Sequence, residues 1–335
     1  MQHISTYQRM IVSGFLFSLF VVIAIATSLG SYEISFIDLF KSNISDLQKS
    51  VIIEIRLPRV VLAAFVGASL SLSGSCLQGL FRNPLADPGL IGVSAGAALG
   101  ATSFIVVGSN WFPQFFLGPY LLPLFSIIGS GIVIGALFFI TKGFGKEGIT
   151  YLLLAGIAVN AFAGVGIGIL TYISDDSELR GLTFWTMGSF GGSSWRMITG
   201  AAFIITLTII WILRDARGLD ILQLGEFEAY RLGIDIKKLR SNVIISSAII
   251  VGVSVSLAGM IGFVGLIVPH LTRMVGGVNH KYLLPASALL GAIIMVIADL
   301  IARVMIKPAE LPVGLITSAI GSPFFLWLIF RMRMR

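Results

Sequence analysis

Three arginines stand at the ends of apolar runs, where the chain would meet water. Arg56 and Arg59 lie three apart in the string RLPR, and Arg303 closes a run that also holds Asp299. A guanidinium offers five donors in a planar fork and pairs with carboxylates through charge-assisted bonds. Such a patch could meet acidic side chains of a soluble partner. It could equally snorkel to lipid headgroups, and the sequence leaves both readings open.

A second constellation is DILQLGEFEAYRLGIDIKKLR, residues 220–240. Leu222, Leu224, Phe227, Leu232 and Ile234 are interleaved with charges. Gly225 and Gly233 bracket a short helical stretch that holds Glu228 and Ala229. A short amphipathic helix closed by glycine suits a groove on a partner. The other reading is a helix lying on lipid. Against that stand Glu226, Glu228 and Asp235, which anionic lipid would repel.

A third lies in TYISDDSELRGLTFWTMGSFGGSSW, residues 171–195. It sets Tyr172, Phe184, Trp185 and Met187 among Asp175, Asp176, Glu178 and Arg180. Gly188, Gly191 and Gly192 predict a short helix followed by a turn. Aromatics, a methionine and a cation at a pore mouth could meet a flat amphiphilic ligand that carries carboxylates. An interfacial aromatic belt would use the same residue types. The chain lacks a nucleotide site of its own. A P-loop needs G-x-x-x-x-G-K-[ST], and GFGKE at 143–147 has neither the spacing nor the hydroxyl. Its three histidines, His3, His270 and His280, all fall on the cytoplasmic side of the topology that the charge distribution predicts, so none serves as an entry ligand for a metal.

What positions these residues is a membrane-spanning bundle. Of 335 residues, 56% are hydrophobic and 12% charged, about half the charged share of soluble domains. Crossing the bilayer core takes about 20 apolar residues. Such runs predict helices at 11–30, 60–80, 90–107, 119–141, 150–173, 197–213, 242–258, 261–275, 283–303 and 311–330. The chain reads as a single polytopic membrane domain, 1–335. Its long polar segments are 31–58, 174–196 and the loop 214–241. The run behind Arg9 is long for a signal peptide and is read as a retained first helix. The net charge of +7 follows the positive-inside rule rather than nucleic acid. It places both termini and 214–241 in the cytoplasm, with Arg56, Arg59, Arg180, Arg196 and Arg303 as outer exceptions. Cys76, the one cysteine, reads as a small packing residue.

Small residues recur at spacing four: Ala63, Gly67, Ser71 and Ser75; Gly92, Gly96 and Gly100; Gly131 and Gly135. They let helix backbones approach closely in lipid. An ion-coupled secondary transporter is the rival class, and a scaffold without transport a third. The first should show internal repeats and ionisable residues at mid-membrane. Only Asp299 sits near a helix centre, and no repeat is evident.

Several strings together resemble the FecCD-type permease subunits of type II ABC importers, which serve siderophores, haem and cobalamin. They are IRLPRV (55–60), SGSCLQGLFRNPLADPGLIGVSAGA (73–97), LLLAGIAVN (152–160), LGEFEAYRLGI (224–234), GMIGFVGLIVPHLTRMVGG (259–277) and ADLIARVMIKPAELPVGLITSAIGSPFFLWLI (298–329). The resemblance implies an all-α fold of about ten transmembrane helices in the bacterial inner membrane. It also implies a homodimeric pore, two cytoplasmic ATPase subunits that bind ATP, and a periplasmic substrate-binding protein. This subunit would be no enzyme and would hold no cofactor or metal. Arg56, Arg59 and Arg303 match the family's docking arginines, and Gly225, Glu228, Ala229 and Gly233 its ATPase-coupling motif. Ile149 and Thr150 match a cytoplasmic gate. LTYISDDSELRGLTFWTMGSF is similar to haem permeases, which makes haem the implied cargo along Tyr172, Arg180, Trp185 and Met187. A ferric siderophore or cobalamin is the alternative cargo.

Overall fold

The computed structural model describes residues 5–30, 45–108, 118–141, 148–306 and 309–333, and among them there is no strand. Thirteen helices follow in chain order. The first five are α1 (Thr6–Ser28), α2 (Asp46–Phe81), α3 (Val93–Gly108), α4 (Gly118–Thr141) and α5 (Gly148–Ile173). Next come α6 (Asp176–Met187), α7 (Trp195–Leu213), α8 (Ala216–Leu222) and α9 (Glu226–Arg231). The last four are α10 (Ile236–Ala258), α11 (Val264–Gly276), α12 (His280–Val304) and α13 (Val313–Arg333). A 3₁₀ turn, Pro88–Ile91, precedes α3.

Eight helices are long and apolar enough to span a membrane, and α3 and α11 are shorter apolar helices. They coincide with the ten anticipated runs. At 13 residues, α11 rises about 20 Å, less than the roughly 30 Å hydrocarbon core. Two boundaries differ from expectation. First, α2 starts well before residue 60, because the segment Val51–Arg56 runs into it as π-helix without a break. Second, α10 starts at Ile236 rather than 242, because the Asp235 side chain caps it by accepting from the Lys238 amide at 3.0 Å. Carboxylates at such positions satisfy the free amides of a first turn.

The bundle is built around α2, against which α10, α11 and α12 pack. In its apolar window 78% of residues are buried, against 11% in α1 and in α5, so α2 is the core and α5 is peripheral within one chain. Two of the expected small-residue ladders are true contacts. A Cβ added at Gly67 would lie 2.2 Å from the Gly291 carbonyl of α12, and one at Gly100 would lie 2.1 Å from the Phe125 carbonyl of α4. The third ladder is not a contact. Nothing lies within 4 Å of a Cβ at Gly131 or Gly135, whereas Gly129 meets Gly96. The side of α4 that faces α3 is offset from the one its sequence spacing suggested.

Candidate functional site

The three arginines are interior groups. Arg56, Arg59 and Arg303 are 5%, 7% and 4% exposed. The Nε of Arg59 donates to Asp299 Oδ1 at 2.9 Å, and its Nη1 to Glu310 Oε2 at 2.6 Å. From the other side Arg303 Nε lies 3.0 Å from Asp299 Oδ2. That is an ionic contact whose N–H is not aimed at the oxygen. The remaining donors close the end of α1. Arg56 Nη1 donates to the carbonyls of Thr27 and Ser28 at 3.1 and 2.6 Å, and Arg303 Nη2 to that of Ala26 at 3.0 Å. A helix leaves its last carbonyls unpaired and slightly negative, so cations belong there. Arg59 and Arg303, brought together by α2 and α12, thus share one buried carboxylate. The exposed basic patch anticipated from RLPR is therefore a buried ion cluster. The four-residue spacing of Asp299 and Arg303 was a visible signal for half of it; the Arg59 link is long-range and had none.

On the same side lies the aromatic segment. Helix α6 is capped by Asp175, whose Oδ1 accepts from the Ser177 and Glu178 amides at 2.8 Å each, while Glu178 accepts from the Asp175 amide at 3.0 Å. These bonds to the ionised form, that from the Glu178 amide first, hold the Asp175 carboxyl below the usual aspartate range. Tyr172 and Arg180 are exposed, whereas Trp185 and Met187 are half-buried. Trp185 packs on the main core. The end of α6 is braced by the Ser189 amide on the Ala258 carbonyl (2.8 Å) and the Val313 amide on the Gly188 carbonyl (3.0 Å). Ile149 and Thr150 lie in the first turn of α5, and their side chains are outside the described residues.

Helix α9 is a six-residue helix between two left-handed glycines, Gly225 (φ +112°) and Gly233 (φ +79°). Those angles favour glycine. Ala229 is fully buried, and its carbonyl accepts from the Ile234 amide at 3.0 Å. Around this anchor the apolar side chains point outward: Phe227 is 72% and Tyr230 73% exposed. Glu226 is tied to Arg240 of α10 at 3.2 Å, while Glu228 has only a loose contact with Arg231 at 3.6 Å. Beside the helix is a cleft of about 770 Å³ lined by Glu226, Tyr230, Gly233, Ile234 and Asp235. Helix α8, which the sequence did not suggest, leads into α9. Just ahead of it, burial pushes the Asp215 carboxyl above the usual range, opposed by Asn242 and Lys238.

Comparison with known proteins gives the family of the chain. Residues 16–331 match the model of the FecCD transport family. The chain is 44% identical over 327 residues to the hemin transport system permease protein HmuU of Yersinia pestis, covering 97% of both chains. It is 38% identical over 294 residues to the vitamin B12 import system permease protein BtuC of Vibrio parahaemolyticus, covering 88% of this chain and 86% of that one. A solved metal-chelate type ABC transporter in an inward-facing conformation superposes with a TM-score of 0.86 at 36% identity, covering 96% of this chain and 99% of that one. The chain, an all-α multi-pass membrane protein, belongs to the FecCD transport family.

Proposed function

We propose that this chain is the haem-translocating permease of an ATP-driven importer. It works as a single polytopic membrane domain paired with a second copy, with two cytoplasmic ATPase subunits and a periplasmic binding protein. It sits in the bacterial inner membrane with both termini in the cytoplasm. The observation that carries the reading is α9, a helix glued to the bundle by Ala229 yet presenting Phe227 and Tyr230 outward. Large exposed aromatics beside a cleft are the anchors of a protein interface. Since the sequence has no P-loop, the partner there supplies ATP. The relative named for hemin, with the LTYISDDSELRGLTFWTMGSF segment, supports haem as cargo.

In this mechanism the loaded binding protein approaches the outer end with carboxylates. There three arginines outnumber Asp299 and Glu310, leaving positive charge in the cluster. Haem enters between the two copies past Tyr172 and Arg180, where a guanidinium can meet a propionate while Trp185 and Met187 offer apolar contact. Closure of the ATPases moves α9, and α5 with Ile149 and Thr150 opens on the cytoplasmic side. The pore needs weak distributed contacts, since tight ligation would trap the cargo. The test is uptake into vesicles that hold the permease, its ATPase and ATP, with haem, a ferric siderophore and cobalamin compared. ATP-dependent uptake of haem alone is expected. Transport by the permease by itself under an ion gradient would replace this reading with a secondary carrier.

A further inference from the structure

Helix α8 does more than lead into α9. The carboxylate Oδ1 of Asp220 in α8 accepts from both the backbone amide and the ring Nδ1 of His280, at 2.8 and 2.7 Å. It therefore caps the first turn of α12 from another part of the chain. The other ring nitrogen of His280 rests on Gly79 at the end of α2, so closely that a Cβ there would lie 2.4 Å from Nε2. Gln223, one residue past α8, donates to the Gly79 carbonyl at 2.8 Å. The neighbouring Gln78 donates to the carbonyls of Gly265 and Leu266 in α11 at 3.3 Å and accepts from Arg273. The side chain of His280 is nearly buried, and that of Asp220 about two-thirds so.

About 29 Å further along α12, at 1.5 Å per residue, the same two helices are joined again by Arg59, Asp299 and Arg303. Between the two ends, Gly67 and Gly291 hold their backbones in direct contact. The pair α2–α12 is thus fastened at its cytoplasmic end, its middle and its outer end. Helix α9 reaches α10 directly through Glu226 and Arg240. Its other route, through α8, ends on the α2–α12 pair at Asp220, Gln223 and His280. Packed helices can shear past one another, and contacts at three levels along their length oppose such sliding here.

We propose that α2 and α12 form one rigid strut across the membrane, and that the Asp220–His280 clamp passes displacement of α9 into it. Asp220 and His280 are then positioning residues for the transport stroke. The inference rests on α9 being the ATPase contact.

The test uses the reconstituted permease–ATPase complex with haem. The readout is cargo moved per ATP hydrolysed, which a merely structural role would leave unchanged in folded protein. Asp220→Ala should lower that ratio about tenfold, within the usual span of coupling between sites, while hydrolysis continues. Asp220→Asn keeps an acceptor oxygen and should recover most of the ratio. An unchanged ratio in Asp220→Ala would overturn the proposal. Should Asp220→Ala fail to assemble, a linked pair decides the matter: Asp220→Cys with His280→Cys, in a Cys76→Ser background, joined by a short thiol-reactive linker. A rigid unit keeps ATP hydrolysis and transport when linked. Loss of both on linking, restored by cleaving the linker, would show that α8 and α12 must separate, and the idea fails. Wild-type complex that hydrolyses ATP without moving haem refutes the cargo instead, and the hydrolysis rate before and after linking still tests the clamp.

Discussion

The buried arginine cluster and the short helix α9 look alike in sequence, since both are short charged strings beside an apolar span. In the structure they are opposites. Arg56, Arg59 and Arg303 commit their donors to Asp299, Glu310 and the carbonyls of α1 and are at most 7% exposed. Helix α9 is held by the buried Ala229 and the Glu226–Arg240 pair and leaves its aromatics exposed. A surface awaiting a partner keeps its contacts open. A structural site has already closed them. Any partner contact at these arginines is therefore inseparable from folding by simple substitution, whereas one at α9 is separable.

The sharpest way to break this contrast is Asp299→Ala. The carboxylate is fully buried and serves both Arg59 and Arg303. Removing one partner of a buried ion pair leaves charge uncompensated and costs about 3–5 kcal/mol. Thermal melting of the detergent-solubilised protein should fall accordingly. A variant that melts with wild type would mean that the cluster is not what fastens α2 to α12.

At α9 the order of effects reverses. Phe227→Ala with Tyr230→Ala touches exposed side chains, so stability should stay within about 0.5 kcal/mol. Affinity for the ATPase should drop roughly thirtyfold, about 2 kcal/mol, as for loss of interface anchors. Equal affinity, measured by co-purification titration or interferometry, would remove α9 as the contact.

How much of this was legible follows from the range of each signal. Apolar runs and caps are local, so the ten spans and α9 could be read directly. Asp235 shows the limit, because a capping carboxylate inside a charged loop moved the start of α10 six residues ahead of its apolar run. Gly67 was legible as a small residue, but its partner Gly291 was not, nor was the side of α4 that meets α3, and Gly131 stands off that contact. Pairing across the chain, as in Arg59 with Asp299 or Asp220 with His280, depends on which helices become neighbours. Periodicity does not carry that information. Arg56 and Arg303, which the charge distribution marked as exceptions to its predicted topology, close the open carbonyls at the end of α1.

Glu310 refines the contrast from within the outer cluster. Its carboxylate binds Arg59 at 2.6 Å, yet its side chain is 44% exposed. Solvent screening limits such pairs to about 0–1 kcal/mol, so Glu310→Gln should shift melting far less than Asp299→Ala. A loss as large as that of Asp299→Ala would place the cluster's stability in its exposed arm.

Asp175 offers the smallest effect and a third kind of polar site, exposed yet satisfied by its own chain. Its carboxyl is held below the ordinary aspartate range by the amides of Glu178 and Ser177. A depressed folded pKa contributes stability at pH above the unfolded value and loses it as pH falls through the folded one. Because the unfolded value is about 3.9, α6 should be indifferent between pH 7 and 5 and should loosen only below about 4. A spin label at exposed Thr183, introduced as Thr183→Cys with Cys76→Ser, reports that loosening as increased mobility. In Asp175→Ala the label should already be more mobile between pH 7 and 5, since the two amides lose their acceptor, and the gap to wild type should narrow below about pH 4. If label mobility is the same with and without Asp175 and flat with pH, α6 is held by its braced end at Gly188 and Ser189 alone. The cap would then be a local ornament of the helix rather than what positions Arg180.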